Sequence, residues 1–384
     1  MKKWILAVMV ALLSAMAPSA FAQTVAGTVT MNFDLSHHPQ GETAQLWIPY
    51  PVSDADQNIT GITISGDFAA SAVYTDAVFK TPMLHARWDK NAVSRKLTFS
   101  FQVERKEVVR RDFPRREAAW APADYALYLG ATRLGPLDGE VKKLAARITK
   151  GKSGVLAKAG AIYDWTVENT YRNPDTRGCG AGDVNRLLQE PGGKCADISS
   201  IYVALARAAG VPAREIFGIR MGKKPTEDIS TWQHCWAEFY LPGYGWVPVD
   251  PADVRKMMLV EKLPLDAPKT MESRQYFWGG IDAYRVKLGE GRDLVLNPPQ
   301  QGDPVNYLMY PFAQVGDTTI DWLEPTAFKY KITFQQKQKE DGYGLIDTNS
   351  LKQLFNSGSS VSVVDERNPR GVQGGSCGGA EQHP

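Results

Sequence analysis

Cysteine is scarce in this chain of 384 residues: Cys179, Cys195, Cys235 and Cys377 are the only four. That is too few for a disulfide framework, and none is spaced as a metal-binding C-x-x-C pair. An excess of charge of one sign is also lacking, with 44 Lys and Arg against 42 Asp and Glu and a formal net charge of +2. The balance offers no footprint for nucleic acid or an anionic surface. Beyond the N-terminus no apolar run reaches the ~20 residues that cross a bilayer.

What is present begins at that N-terminus. Lys2 and Lys3 precede an apolar stretch from Trp4 to Leu13, and small residues follow, with Ala20-Phe21-Ala22 before Gln23. This order predicts a secretory signal over 1–22, cleaved after Ala22. Loss of Lys2 and Lys3 brings the formal charge to zero. The expected mature protein is periplasmic or secreted, with no integral membrane segment.

Over 23–109 short alternating runs are broken by turn residues, as in Gly27–Phe33, Ala44–Ile48, Ile59–Ile64 and Lys96–Val103. The period predicts an antiparallel, sandwich-like β domain. The Pro- and Arg-rich stretch that opens 110–136 reads as a linker.

Helical spacing then takes over, in Glu140–Ile148 and Val155–Thr170, and a Gly- and Asp-rich segment, 173–193, leads into Cys195. After that cysteine, Ile198, Ile201, Tyr202 and Leu205 fall at helical intervals until Gly210 and Pro212 end the run. Arg214–Arg220 and Gln233–Leu241 alternate as strands. Pro242 to Gly245 turns the chain back into Trp246–Asp250. A helix followed by an antiparallel sheet predicts an α+β core over 137–290, and turn-rich short strands from Met257 onward predict a β extension over 291–338.

Cys195 therefore stands at a helix N-terminus, where unpaired N–H groups favour a thiolate. His234 could take the thiol proton and return it to a leaving amine, given a carboxylate to hold its tautomer. Two carboxylates compete. A plain hairpin centred on Gly243 and Tyr244 would pair Leu241 with Trp246, setting Asp250 opposite Ala237 and Asp253 opposite His234. A bulge in the turn would bring Asp250 toward the imidazole instead.

Other chemistry was weighed for the same residues. Cys195 could pair with Cys179, and Cys235, on the strand face opposite His234, could do so too. A zinc site from Cys179, Cys195, His234 and Cys235 lacks ligand spacing. His37, His38 and His85 read as solvated residues. Trp236 and Trp246 read as packing residues, although Trp236 shares the His234 face and could wall a cleft.

Four blocks carry a resemblance: Gly193-Lys194-Cys195-Ala196-Asp197; Leu205-Ala206-Arg207-Ala208-Ala209-Gly210-Val211-Pro212-Ala213-Arg214; His234-Cys235-Trp236-Ala237-Glu238-Phe239-Tyr240; and Gly245-Trp246-Val247-Pro248-Val249-Asp250-Pro251. In this order they resemble the bacterial transglutaminase-like superfamily, most strongly from Leu137 to Val254. The resemblance implies a papain-like α+β core behind the β domain, with Cys195, His234 and Asp250 as nucleophile, base and orienting residue. It implies an acyl-thioester intermediate on a peptide, protein or cell-wall peptide substrate, resolved by water or by an amine, and no cofactor. The Cys195 N–H is a natural oxyanion donor. The rival expectation is a non-catalytic protein that keeps this core and binds partners through its β domains.

Over 340–384 the chain changes again. Gly344-Leu345-Ile346-Asp347, a helix-like Ser350–Asn356 and an apolar Val361–Val364 ending in Asp365-Glu366-Arg367 resemble the opening of a rhodanese domain. The likeness stops at Pro369. Gly371–Pro384 is Gly-rich without apolar period, predicting disorder, and Cys377 is not given the rhodanese nucleophile's role.

Overall fold

The computed structural model of the protein describes residues 23–337 and Gln353. The expected signal segment, the rhodanese-like stretch and Cys377 lie outside the described residues.

Period-two patterning builds two five-stranded antiparallel sheets around one core. The first runs in the order Thr226–Asp228, Lys329–Gln336, Thr24–Asp34, Lys96–Lys106, Gln57–Gly66, and the second in the order Thr318–Ile320, Phe312–Val315, Ala44–Pro49, Pro82–Trp88, Ala70–Thr75. Along Thr24–Asp34, Val25, Val29, Met31 and Phe33 turn inward between less buried neighbours. They pack with Leu46, Ala86, Trp88, Phe99 and Phe101 from the facing strands.

The chain's later strands do not form a separate extension. Lys329–Gln336 pairs directly with Thr24–Asp34, Gly27 opposite Gln336, and Phe312–Val315 pairs with Ala44–Pro49. Phe328, Ile332 and Phe334 enter the same core as Val29 and Phe99. Alternation marks each strand but carries no information about its partner, so sequence proximity was a poor guide here.

The second region is a four-stranded antiparallel sheet in the order Gly245–Val249, Gln233–Leu241, Ala213–Arg220, Arg285–Glu290. Ala237, Phe239 and Leu241 pack in one core with Ile201, Tyr202 and Leu205 of the helix Cys195–Ala208. The helices Gly139–Ile148 and Val155–Asn169 contribute Val141, Ala145, Ala159 and Ile162 to that core. This is the α+β arrangement expected from the sequence.

Two helices, Pro251–Glu261 and Pro268–Tyr276, occupy a stretch read partly as short strands. Their signal was present. Asp250-Pro251-Ala252-Asp253 puts an N-cap acid, a proline in the first turn and an acid at the third position, and Lys262 closes the first helix in the left-handed region at φ 55°.

Candidate active site

Cys195 is the first residue of its helix, and a buried carboxylate fixes that start. Asp197 accepts hydrogen bonds from the backbone N–H of Lys194 at 3.2 Å and of Gly182 at 2.8 Å. It thereby ties the incoming loop to the helix. Burial pushes its carboxyl pKa above the ordinary value. The glycines of the approach make room for it: a Cβ on Gly180 would lie 2.0 Å from Asp197 Oδ2, and one on Gly193 would lie 2.4 Å from Asp197 Cβ. Gly180 also sits at φ 92°, where L side chains are strained.

His234 opens the strand Gln233–Leu241. The adjoining hairpin pairs Leu241 with Gly245 and Tyr240 with Trp246, one residue away from the plain register. Its turn holds three residues, with Gly243 at φ 80° and the Tyr244 N–H donating to the Leu241 carbonyl at 3.0 Å. The ladder ends at Ala237 and Val249, so register settles neither carboxylate. Asp250 reaches the imidazole because the chain leaves the strand there and begins a helix.

As N-cap of that helix, Asp250 accepts from the Asp253 N–H through Oδ1 at 2.9 Å. Its Oδ2 lies 2.7 Å from His234 Nε2. The nearest oxygen of Asp253 is 3.9 Å from the same nitrogen, and Asp253 is held by Arg220 and Arg285. Asp250 is therefore the carboxylate against the imidazole. Its own N–H donates to the Phe277 carbonyl at 3.1 Å, which seats the cap.

The structure brings Cys195, His234 and Asp250 together in the interior, at 2%, 4% and 0% exposure. Hydrogen bonding from the Cys179 and Cys235 thiols, reinforced by His234, holds the Cys195 pKa well below its ordinary value in spite of burial. The thiols of Cys179 and Cys235 are pushed well above theirs. For His234, burial and Arg220 act downward, but Asp250 and Asp253 raise it above the ordinary value. A low thiol and a high imidazole favour a thiolate–imidazolium pair.

Other expectations at these positions change. Cys179, Cys195 and Cys235 are free thiols, and Cys235 approaches Cys195 even though it alternates with His234 along the strand. Cys179 donates to the Gln233 carbonyl at 3.3 Å and receives the Tyr310 hydroxyl at 3.1 Å. Trp236 walls no cleft: it packs with Val108, Ile216 and Ile281 in a core apart from the thiols. Trp246 stacks on Arg214, whose guanidinium carbon lies 4.0 Å from the ring centre.

His85 is buried against Trp47 and Gln45, and burial lowers its pKa to about 4. His38 is half-buried, with Nε2 2.7 Å from the Ala327 carbonyl, while His37 is exposed. His234, Asp250 and Asp253 offer ligand atoms within 4.8 Å of one another. Two guanidiniums, however, engage these carboxylates, which is the wrong charge environment for a cation.

An α+β core that buries a cysteine at a helix start against a strand histidine, itself capped by a carboxylate, defines the papain-like class of thiol folds. The chain belongs to the transglutaminase-like superfamily, whose family model matches residues 142–251. An uncharacterized protein of Haemophilus influenzae is 35% identical over 329 residues, covering 79% of this chain and 89% of that protein. The protein YebA of Bacillus subtilis is 29% identical over 129 residues, 30% of this chain and 18% of YebA. A crystal structure described as a candidate cysteine protease from Cytophaga hutchinsonii shares the fold at 17% identity and a TM-score of 0.50, covering 82% of this chain and 98% of that one.

Proposed function

We propose that the protein is an exported thiol enzyme that cleaves or transfers acyl groups from amide bonds of peptides, proteins or cell-wall peptides. The observation that carries this is the buried convergence of Cys195, His234 and Asp250 around a favoured thiolate. Export rests on the basic, apolar and small-residue order of the first 22 residues. Among the described residues, no helix is long and apolar enough to cross a membrane.

The Cys195 thiolate adds to the amide carbonyl carbon, and the oxyanion formed meets the Cys195 N–H at the helix start. His234 gives its proton to the amine as the C–N bond breaks, leaving a thioester. Water then attacks that thioester, with His234 taking its proton, and the C–S bond breaks to release the acid and restore the thiolate–imidazolium pair. An amine in place of water would give a new amide. Hydrolysis is the favoured outcome because water, unlike an amine acceptor, is always at hand.

One observation favours the non-catalytic reading. Cys195 is 2% exposed and belongs to a buried cluster with Met309 and Tyr310, against which Tyr307, Trp322 and Leu323 pack, so substrate would have to part side chains of this cluster. Iodoacetamide in the absence of denaturant separates the two readings. An enzyme alkylates at Cys195 faster than free cysteine near neutral pH, and His234→Ala slows it. A Cys195 that reacts only on unfolding overturns the enzyme reading. Peptide turnover with and without an added amine then distinguishes hydrolysis from transfer.

A further inference from the structure

Arg285 is an arginine with 0% exposure, placed beside the candidate base by a strand that carries no sequence motif. In the ladder it stands directly opposite Arg220. Two like charges in cross-strand register repel, and burial makes the pairing costlier. Carboxylates from two other elements hold it in place. Asp253 binds Arg220 through Oδ1 and Arg285 through Oδ2, the latter at 2.6 Å. Asp282 receives the Arg285 Nε–H at 2.9 Å.

The remaining arm points at the site. Arg285 Nη1 donates to Asp250 Oδ2, the same oxygen that faces His234, and lies 3.2 Å from His234 Nε2. Asp250 thus has one oxygen on its helix cap and one shared by the imidazole and the guanidinium. Turning the carboxylate out of this rotamer would break these bonds.

The charges of the cluster can be counted. Asp250, Asp253 and Asp282 supply three negative charges, and Arg220 and Arg285 supply two positive ones. One negative charge is left over, which an imidazolium at His234 neutralises. The Cys195 thiolate adds a further negative charge on the other side of the imidazole, so cluster and ion pair together carry one net negative charge. Cys179, Cys195 and Cys235 face the imidazole from the thiol side, Tyr163 donates to the Arg274 carbonyl, and Tyr276 donates to Glu107. Arg105 and Lys256 act on the cluster through space without a hydrogen bond to it.

We propose that Arg285 is a positioning residue: it locks Asp250 against His234 and sets the buried charge so that a protonated imidazole is held between the carboxylate cluster and Cys195. This rests on the Cys195–His234–Asp250 reading and says how the ion pair is maintained. The same role explains why two arginines face each other where one would avoid the repulsion.

Changing the cluster charge in opposite directions tests it. The readout is the pH at which thiolate ultraviolet absorbance appears in the full-length protein, each variant being referenced to its own Cys195→Ala counterpart. Arg285→Met removes a positive charge and should move the transition to higher pH by about one unit, the effect of a unit charge at roughly 10 Å in an effective dielectric near 20. Asp282→Asn removes a negative charge from a partly exposed position and should move it to lower pH by a similar amount. Arg285→Lys keeps the charge and should leave it within about 0.3 units.

Shifts of the same sign for Arg285→Met and Asp282→Asn, or no shift in either, overturn the proposal while leaving the thiolate reading intact. A wild-type protein with no thiolate below the free-cysteine range overturns the parent reading, and this one with it. If Arg285→Met does not fold, Asp282→Asn and Arg285→Lys decide alone.

Discussion

Replacing Gly193 with alanine should destabilise the protein by about 2–4 kcal/mol through one buried carboxylate. The added Cβ would lie 2.4 Å from both Cβ and Oδ2 of Asp197, a side chain with no exposure into which it could swing. Overpacking of this kind costs about 1–3 kcal/mol. Displacing Asp197 also weakens its bonds to the Lys194 and Gly182 N–H groups, adding about 1 kcal/mol.

Thermal unfolding should show a midpoint lower by roughly 4–16 °C, at 2–4 °C per kcal/mol for a large domain. A double-mutant cycle isolates the cause. In an Asp197→Gly background all the clashing atoms of residue 197, Cβ included, are gone, so Gly193→Ala should then cost less than about 1 kcal/mol. If it costs the same in both backgrounds to within about 0.5 kcal/mol, the clash with Asp197 is not the reason, and this account of the glycine-rich approach fails.

Acid should unfold the protein through its paired interior carboxylates. Burial opposes ionisation of Asp253, Glu215 and Glu238, yet Arg220, Arg292 and Arg214 respectively hold their pKa values below the ordinary ones. Their stabilisation is complete above the unfolded values near ~4 and is lost as pH falls through the folded ones; denaturant titrations from pH 7 to pH 2 should show this, and Glu215→Gln should flatten the slope. His85 has the same sign for a different reason: its folded pKa of about 4 lies below the unfolded 6.5, so stability present above 6.5 should fall by up to about 3 kcal/mol toward pH 4, and His85→Gln should remove that dependence. Phe334→Ala, at a fully buried position in the strand from the far end of the described chain, should cost about 3–5 kcal/mol in chemical denaturation; a loss below 1 kcal/mol would mean the sandwich does not depend on that strand.

Much of the candidate site was legible because its signals are local. The helix beginning at Cys195 follows from apolar residues at helical intervals and a Gly–Pro stop, and the His234 strand from alternation with a turn after it. The glycine-rich approach to Cys195 was visible as composition, although the side chain it makes room for, Asp197, could not be read from it. Arg285 left no comparable mark. A single arginine in an alternating strand looks the same whether it faces water or three carboxylates.

Sequence by itself determined the class of the core, the helix start at Cys195, the strand at His234 and the two β-rich regions, because periodicity and capping are properties of neighbouring residues. Only the tertiary structure decided that Asp250 caps a helix against the imidazole while Asp253 is taken by arginines. It also decided that three thiols cluster, that Arg285 shares an oxygen with the base, and that strands from both ends of the described chain complete one sandwich. These are contacts through space between residues far apart in the chain, and what selects them is burial and charge compensation, neither of which is written in local spacing.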